Sequence, residues 1–263
     1  MSLADLGDQQ PKALWYAGEW RAEVFAKCAA VVGSRQMTEY GRRVVDKLIP
    51  RLVDEGYTIV SGFMYGVDQA AHAACVACAG RTVAILGWGI AQPLEGQEAA
   101  LAKQIVAGGG LMVSEWENQL GALWTFPIRN RIVAALAASV YVVEAAVKSG
   151  SMITVDWARK LGRQIWAVPG PVTSRVSAGT NQLISDGTAK IWVPDTSRSN
   201  QSKDRDRYTD NAEIYIALQN EALSVDELVR KTGRSAEEVG AQLSVGVLRG
   251  EVEEKAGKYY IVS

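Results

Sequence analysis

A chain of 263 residues with 48% apolar side chains can bury one large core and a second small one, and its net charge of −1 gives no general attraction to nucleic acid. No apolar run reaches the roughly eighteen residues of a membrane span, and Met1 to Gln10 lacks the apolar core of a secretory leader, so the chain is expected in the cytoplasm. A lone histidine, His72, and three cysteines, Cys28, Cys75 and Cys78, exclude a zinc site, and neither metal nor cofactor is expected.

After an N-terminal extension over residues 1–26, short apolar runs alternate with longer stretches of helical periodicity. Strands are predicted near Cys28–Val32, Thr58–Ser61, Thr82–Leu86, Leu111–Ser114, Val140–Glu144 and Gln164–Val168. Helices are predicted over Thr38–Asp54, Val67–Ala79, Gln97–Ala107, Pro127–Ala138 and Met152–Leu161. Such alternation requires a sheet covered on both faces, so residues 27–194 are predicted to form a Rossmann-like, doubly wound, mainly parallel α/β domain. Gly56, Gly80 and Gly162 fall where a left-handed helix cap needs glycine. Cys75 and Cys78 spell a C-x-x-C inside a helical stretch, where packing is the better reading than redox chemistry. From Asp195 to Arg207 no apolar side chain occurs in thirteen positions, and residues 195–210 are read as a linker. Beyond it, Ile214–Leu218, Val225–Thr232 and Ala236–Leu248 suggest three helices and Glu251–Val262 a hairpin turning at Ala256-Gly257, which makes residues 211–263 a winged helix.

Charge is unevenly spread. Between Trp124 and Arg175 seven cations face two anions, whereas residues 211–263 carry six cations and nine anions. Nucleic acid is therefore expected on the middle of the chain, with the acidic winged helix left for protein contacts. Four strand-to-helix turns share one edge of a parallel sheet, the edge at which such sheets bind ligands. They hold Gly33-Ser34-Arg35, Ser61-Gly62 through Asp68, Phe126 through Arg129-Asn130-Arg131, and Lys148-Ser149-Gly150-Ser151. Glycine lets backbone N–H groups approach an anion, serine adds a donor, and Ser151 and Thr38 are read as helix caps. Arg129 and Arg131 are read as first-turn residues, where a cation opposes the helix dipole until a phosphate arrives. Trp124 and Phe126 stand beside them as candidate base-stacking rings. With one histidine and no nucleophile–base pair, no catalytic residue is expected.

In this order the motifs resemble the DprA/Smf (DNA-processing A) family: Gly33-Ser34-Arg35; Ser61-Gly62-x-x-x-Gly66-x-Asp68 with Ala71-His72; Phe126-Pro127-x-Arg129-Asn130-Arg131; Val143-Glu144-Ala145 followed by Ser149-Gly150-Ser151-x-Ile153-Thr154; Val168-Pro169-Gly170; and Gly179-Thr180-Asn181. The resemblance spans Lys27 to Trp192. It implies a homodimeric single-stranded-DNA-binding protein that is not an enzyme, protects strands and loads the RecA recombinase in natural transformation and recombination. It implies strand contacts at Ser34, Arg35, Gly62, Arg129 to Arg131 and the Lys148 to Ser151 turn, with Asp68 and His72 organising their turn. Gln92-Pro93 and Ser114-Glu115-Trp116-Glu117 depart from the Tyr-Pro and Ser-Glu-Tyr-Pro that the family often shows, so the rim of the pocket is expected to differ.

Three other classes compete. A phosphoribohydrolase-like nucleotide-processing enzyme is the alternative, but its Pro-Gly-Gly-x-Gly-Thr-x-x-Glu motif is missing; Gly108-Gly109-Gly110 runs into Leu111-Met112-Val113. A nicotinamide dehydrogenase would need a third glycine after Gly87-x-Gly89. A winged-helix regulator of duplex DNA would need a basic, not an acidic, last domain.

Overall fold

The computed structural model describes residues 2–194, 214, 217–218, 221–248, 251–255 and 257–261. Two compact units, Met1–Pro194 and Asp195–Ser263, divide the chain. The first is built on an eight-stranded sheet: β1 (Trp15–Ala17), β2 (Cys28–Val32), β3 (Thr58–Ser61), β4 (Thr82–Ile85), β5 (Leu111–Ser114), β6 (Ser139–Val142), β7 (Gln164–Ala167) and β8 (Lys190–Ile191). Their order is β1-β5-β4-β3-β2-β6-β7-β8, parallel except for β1, which pairs antiparallel with β5. From β2 the chain winds outward to β5, then returns through a helix to lay β6 on the other side of β2. The β2–β6 boundary is thus the topological switch point, where the connections leaving neighbouring strands part to opposite faces and open a crevice.

Period-two alternation divides each strand between two cores. Ala29, Val31, Ile59 and Tyr141 face helices α1 (Glu39–Asp54) and α2 (Val67–Ala77), where Val45, Leu48, Ile49 and Leu52 are almost fully buried. Ala30, Val32, Val60, Val140 and Val142 face α4 (Thr125–Leu136) and α5 (Gly150–Lys160) through Ile132, Val133, Val155 and Ala158. Helix α3 (Gly96–Ala107) covers β4 and β5, and α6 (Ala178–Ser185) leads into β8. Each buried Leu or Ile contributes about 1.5–3 kcal/mol, so these two layers fix the sheet that carries the turns.

Gly56 and Gly162 have φ of +79° and +63° and cap their helices as expected, but at the end of α2 it is Ala79 that takes a positive φ, +53°. Gly80 serves packing instead, since a β-carbon there would press on Val53 and the Cys75 sulfur. Cys75 is buried and its Sγ donates to the Arg81 carbonyl at 3.3 Å; burial pushes its thiol up to about 12, away from the thiolate that redox chemistry needs. Ahead of Cys28, the edge strand β1 and two 3₁₀ turns add structure that sequence periodicity did not show.

In the second unit α7 (Val225–Thr232) and α8 (Ala236–Leu248) precede a hairpin of β9 (Val252–Lys255) and β10 (Lys258–Ile261), packed on Leu223, Leu228, Val239 and Leu243. Ser224 and Glu227 form a capping box on α7 and Gly233, at φ +70°, ends it. Residues 214, 217 and 218 of the first predicted helix are helical, while the predicted linker, 195–210, lies outside the described residues. No described helix is long and apolar enough to cross a membrane.

Candidate functional site

Above the switch point lies a cavity of about 480 Å³. Of the sequence-predicted residues, Gly33, Ser34, Arg35, Phe126, Arg129, Asn130, Lys148, Ser149, Gly150 and Ser151 line it together. They come from turns more than a hundred residues apart, brought together because β2 and β6 are neighbours.

The β2–α1 turn is held from β6. Glu144, 1% exposed, accepts from the Thr38 hydroxyl at 2.5 Å and from the Thr38 N–H at 2.9 Å, while Thr38 caps α1 by accepting from Gly41 N. It is also held from β3, since Val67 N donates to the Ser34 carbonyl at 3.1 Å. Arg35 is exposed, and its guanidinium lies 5.3 Å from the centre of the Phe126 ring. That contact lies on the Phe126 ring, and Trp88 meets the ring edge-on at 6.2 Å, so Phe126 supports Arg35.

Arg129 forms the floor. Its side chain is buried, Nη1 donates to the Ile85 carbonyl, and Nε has no partner among the described residues. Burial pulls its pKa down to about 10 against the pull of Asp68, which leaves it charged at neutral pH. Asp68, also on the cavity wall, is pushed above the ordinary carboxylate value by burial, with Arg129 opposing the shift. A β-carbon on Gly62 would overlap both Asp68 Oδ2 and the Arg129 guanidinium, so glycine there is what lets this pair sit under the turn. At the far wall Asn130 donates to the Gly150 carbonyl at 3.0 Å and holds the N-terminus of α5, whose first-turn N–H groups add partial positive charge.

Several placements differ from the sequence reading. Arg131 does not join the cavity: it is 7% exposed, pairs with Glu115 and donates to the Gln9 carbonyl at 2.7 Å, because a step of two residues turns it about 200° away from the Arg129 face. Because α4 starts at Thr125, Arg129 and Arg131 stand in its second turn, beyond the reach of the dipole argument. Ser61 is fully buried with its hydroxyl donating to the Val31 carbonyl at 2.6 Å, so it and Gly62 shape the floor from beneath. Ser149, not Ser151, is the N-cap residue of α5; their hydroxyls share a hydrogen bond at 2.7 Å. Sequence reasoning missed Gln36 and Arg175, which meet at 2.9 Å on the cavity wall. Arg175 was legible only as part of the local cationic excess, since its loop carries no phosphate-turn pattern.

His72 organises the floor. It is fully buried, and because the Gly62 carbonyl only accepts, Nε2 carries the proton and donates to it at 2.5 Å, while Nδ1 lies 2.6 Å from the Thr82 hydroxyl. Burial pushes the imidazole down to about 4 from 6.5. The unfolded chain therefore takes up a proton near pH 6.5 that the folded chain refuses until near pH 4, so stability is complete above 6.5 and falls between the two. The expected loss is about 2 kcal/mol on going from pH 7 to pH 5. An NMR titration of His72, the chain's one imidazole, in the folded protein checks the shift behind it; a midpoint near 6.5 would contradict this placement.

An open, mainly parallel sheet with a cation-lined cavity at its switch point, in a chain that also carries a separate winged-helix unit, defines a Rossmann-like protein with a winged-helix domain. The chain belongs to the DNA recombination-mediator protein A family, whose model matches residues 2–201, and the DprA winged helix domain model matches residues 198–258. It is 32% identical over 267 residues to protein Smf of Escherichia coli, covering 95% of this chain and 71% of that protein. To a DNA processing protein DprA of Mycobacterium tuberculosis it is 41% identical over 186 residues, 70% of this chain, and that match spans about half (48%) of the relative's length. The structure of DprA from Streptococcus pneumoniae superposes with a TM-score of 0.65 at 34% identity, covering 76% of this chain and 69% of that one. DprA from Helicobacter pylori, whose structure was described for its single-stranded DNA binding mode, gives a TM-score of 0.62 at 28% identity, covering 69% and 82%.

Proposed function

We propose that this chain binds single-stranded DNA by its phosphates in the β2–β6 cavity, without covalent chemistry, and that it protects the strand and loads a RecA recombinase on it. In this reading it acts in the cytoplasm as a homodimer during DNA uptake and recombination, with residues 27–194 as the DNA-binding domain, 195–210 as linker and 211–263 as a protein-contact domain. The observation that carries it is the convergence of Arg35, Arg129, Lys148 and Arg175 on one cavity against the single carboxyl of Asp68. Membership of the family supports the recombinase, dimer and uptake roles, and the Helicobacter pylori relative supports the choice of strand. On α8, the helix that enters DNA in winged helices, the first turn exposes Glu237 and Glu238, which supports a protein partner there.

Salt tests the electrostatic core of this reading. Neutralising a phosphate of a single strand releases counterions worth a log–log slope of roughly −0.7, so four cations predict a slope of about −3. Binding that is flat in salt would remove the mechanism.

A further inference from the structure

Phosphate contacts alone cannot tell one strand from two, because duplex DNA presents the same phosphates. Resting on the phosphate reading of the cavity, we infer that the loop before α4 supplies the missing discrimination: Leu120, Leu123 and Trp124 form an apolar rim that receives the unpaired bases of the bound strand.

The three side chains are exposed by 68%, 93% and 51%, within five consecutive residues, and Leu123 itself lines the cation cavity. One exposed leucine is ordinary on any surface, but three large exposed apolar groups within five residues, one of them lining a cationic cavity, are not. Nor is the loop a slack segment. Gly89, Ile90 and Ala91 donate backbone N–H bonds to Gln119, Trp116 and Glu117 at 2.7–2.9 Å, and Gln92 Nε2 donates to the Asn118 carbonyl at 2.8 Å. At its end Thr125 bonds back to Ala122 and to the Gly87 carbonyl, and Trp124 rests edge-on against Trp116 at 5.9 Å. The rim is preorganised, so little ordering entropy opposes a ligand settling on it.

Continuity with the cavity selects the occupant. A base hangs one sugar away from its phosphate, so a strand whose phosphate lies between Arg35 and Lys148 carries a base to the lip where Leu123 stands. Unpaired bases expose flat, poorly solvated faces that apolar and aromatic side chains cover without regard to sequence. In a duplex those faces are stacked inside the helix and cannot reach the rim. Phe126 is left out of the rim because its ring already meets Arg35 and Trp88.

The test uses the full chain and three probes: a thymidine oligonucleotide, a strand of the same length with abasic sugars throughout, and a duplex of that length. Because Leu123 is so exposed, Leu123→Ser should fold as the parent does, and it is compared with Leu123→Ser/Trp124→Ser. Base stacking is typically worth about 1–3 kcal/mol per base, so the parent should bind the thymidine strand roughly tenfold or more tighter than the abasic one. The single variant should lose part of that preference and the double variant nearly all of it, with abasic-strand and duplex affinities unchanged. Equal affinity of the parent for thymidine and abasic strands, or variants that keep the preference, would overturn the rim while leaving the cavity in place. Failure of the parent to bind either strand would overturn both.

Discussion

Replacing Arg35 with glutamate is expected to weaken single-strand binding by at least about a hundredfold while leaving the urea unfolding midpoint nearly unchanged. Arg35 is exposed, and its side chain lies over the Phe126 ring, a contact worth about 0.5–1 kcal/mol at an exposed site. Against a phosphate it supplies charged hydrogen bonds worth about 1.5–3 kcal/mol, so Arg35→Ala should cost roughly one to two powers of ten. Glutamate removes the same donors and sets an anion against the phosphate, which adds repulsion. Arg230→Ala and Lys258→Ala, in the acidic second unit, should do little. Normal single-strand affinity in a folded Arg35→Glu protein would remove this turn from the site. Arg129 offers no such clean separation, because its burial and its bond to the Ile85 carbonyl make it part of the floor.

Gly66→Ala is expected to cost about 2–4 kcal/mol of stability and at least tenfold in single-strand affinity. Gly66 has φ +79° and ψ −127°, a conformation in which an L side chain is strained by about 1–3 kcal/mol. Its added methyl would also overlap the Ser34 carbonyl oxygen and crowd the Arg35 carbonyl. The β3–α2 turn braces the β2–α1 turn at this point, so strain at position 66 is delivered to the residue that meets the phosphate. Urea unfolding and strand titration on the same preparation check both halves; parent-like values in each would show that the two turns are not mechanically coupled.

Much of the sheet was legible because buried parallel strands are short apolar runs and the helices between them keep a wide apolar stripe. The strands at Cys28, Thr58 and Leu111 coincide with their predicted bounds, and the helices agree within about two residues. β1 and β8 were not legible: three residues and two residues, at the sheet edges, leave no period to detect. The phosphate turns could be read because Gly, Ser and Arg at strand ends have few other uses in combination. Arg131 was misplaced because spacing along a sequence does not say where α4 begins, and a shift of two residues turns an arginine from cavity to core. Arg175 was missed because a site assembled from separate loops is a property of strand order, which periodicity does not carry.

In the proposed function the cavity at the switch point holds the phosphates of an unpaired strand. Its most direct measurement is a filter-binding titration of the full chain with a single strand and with a duplex of equal length, at one fixed salt concentration. Saturable binding of the single strand is expected at concentrations at least about tenfold below those needed for the duplex, the difference that covering one base face supplies. No saturable binding of the single strand would contradict it outright, and equal affinity for the two would contradict the preference for an unpaired strand.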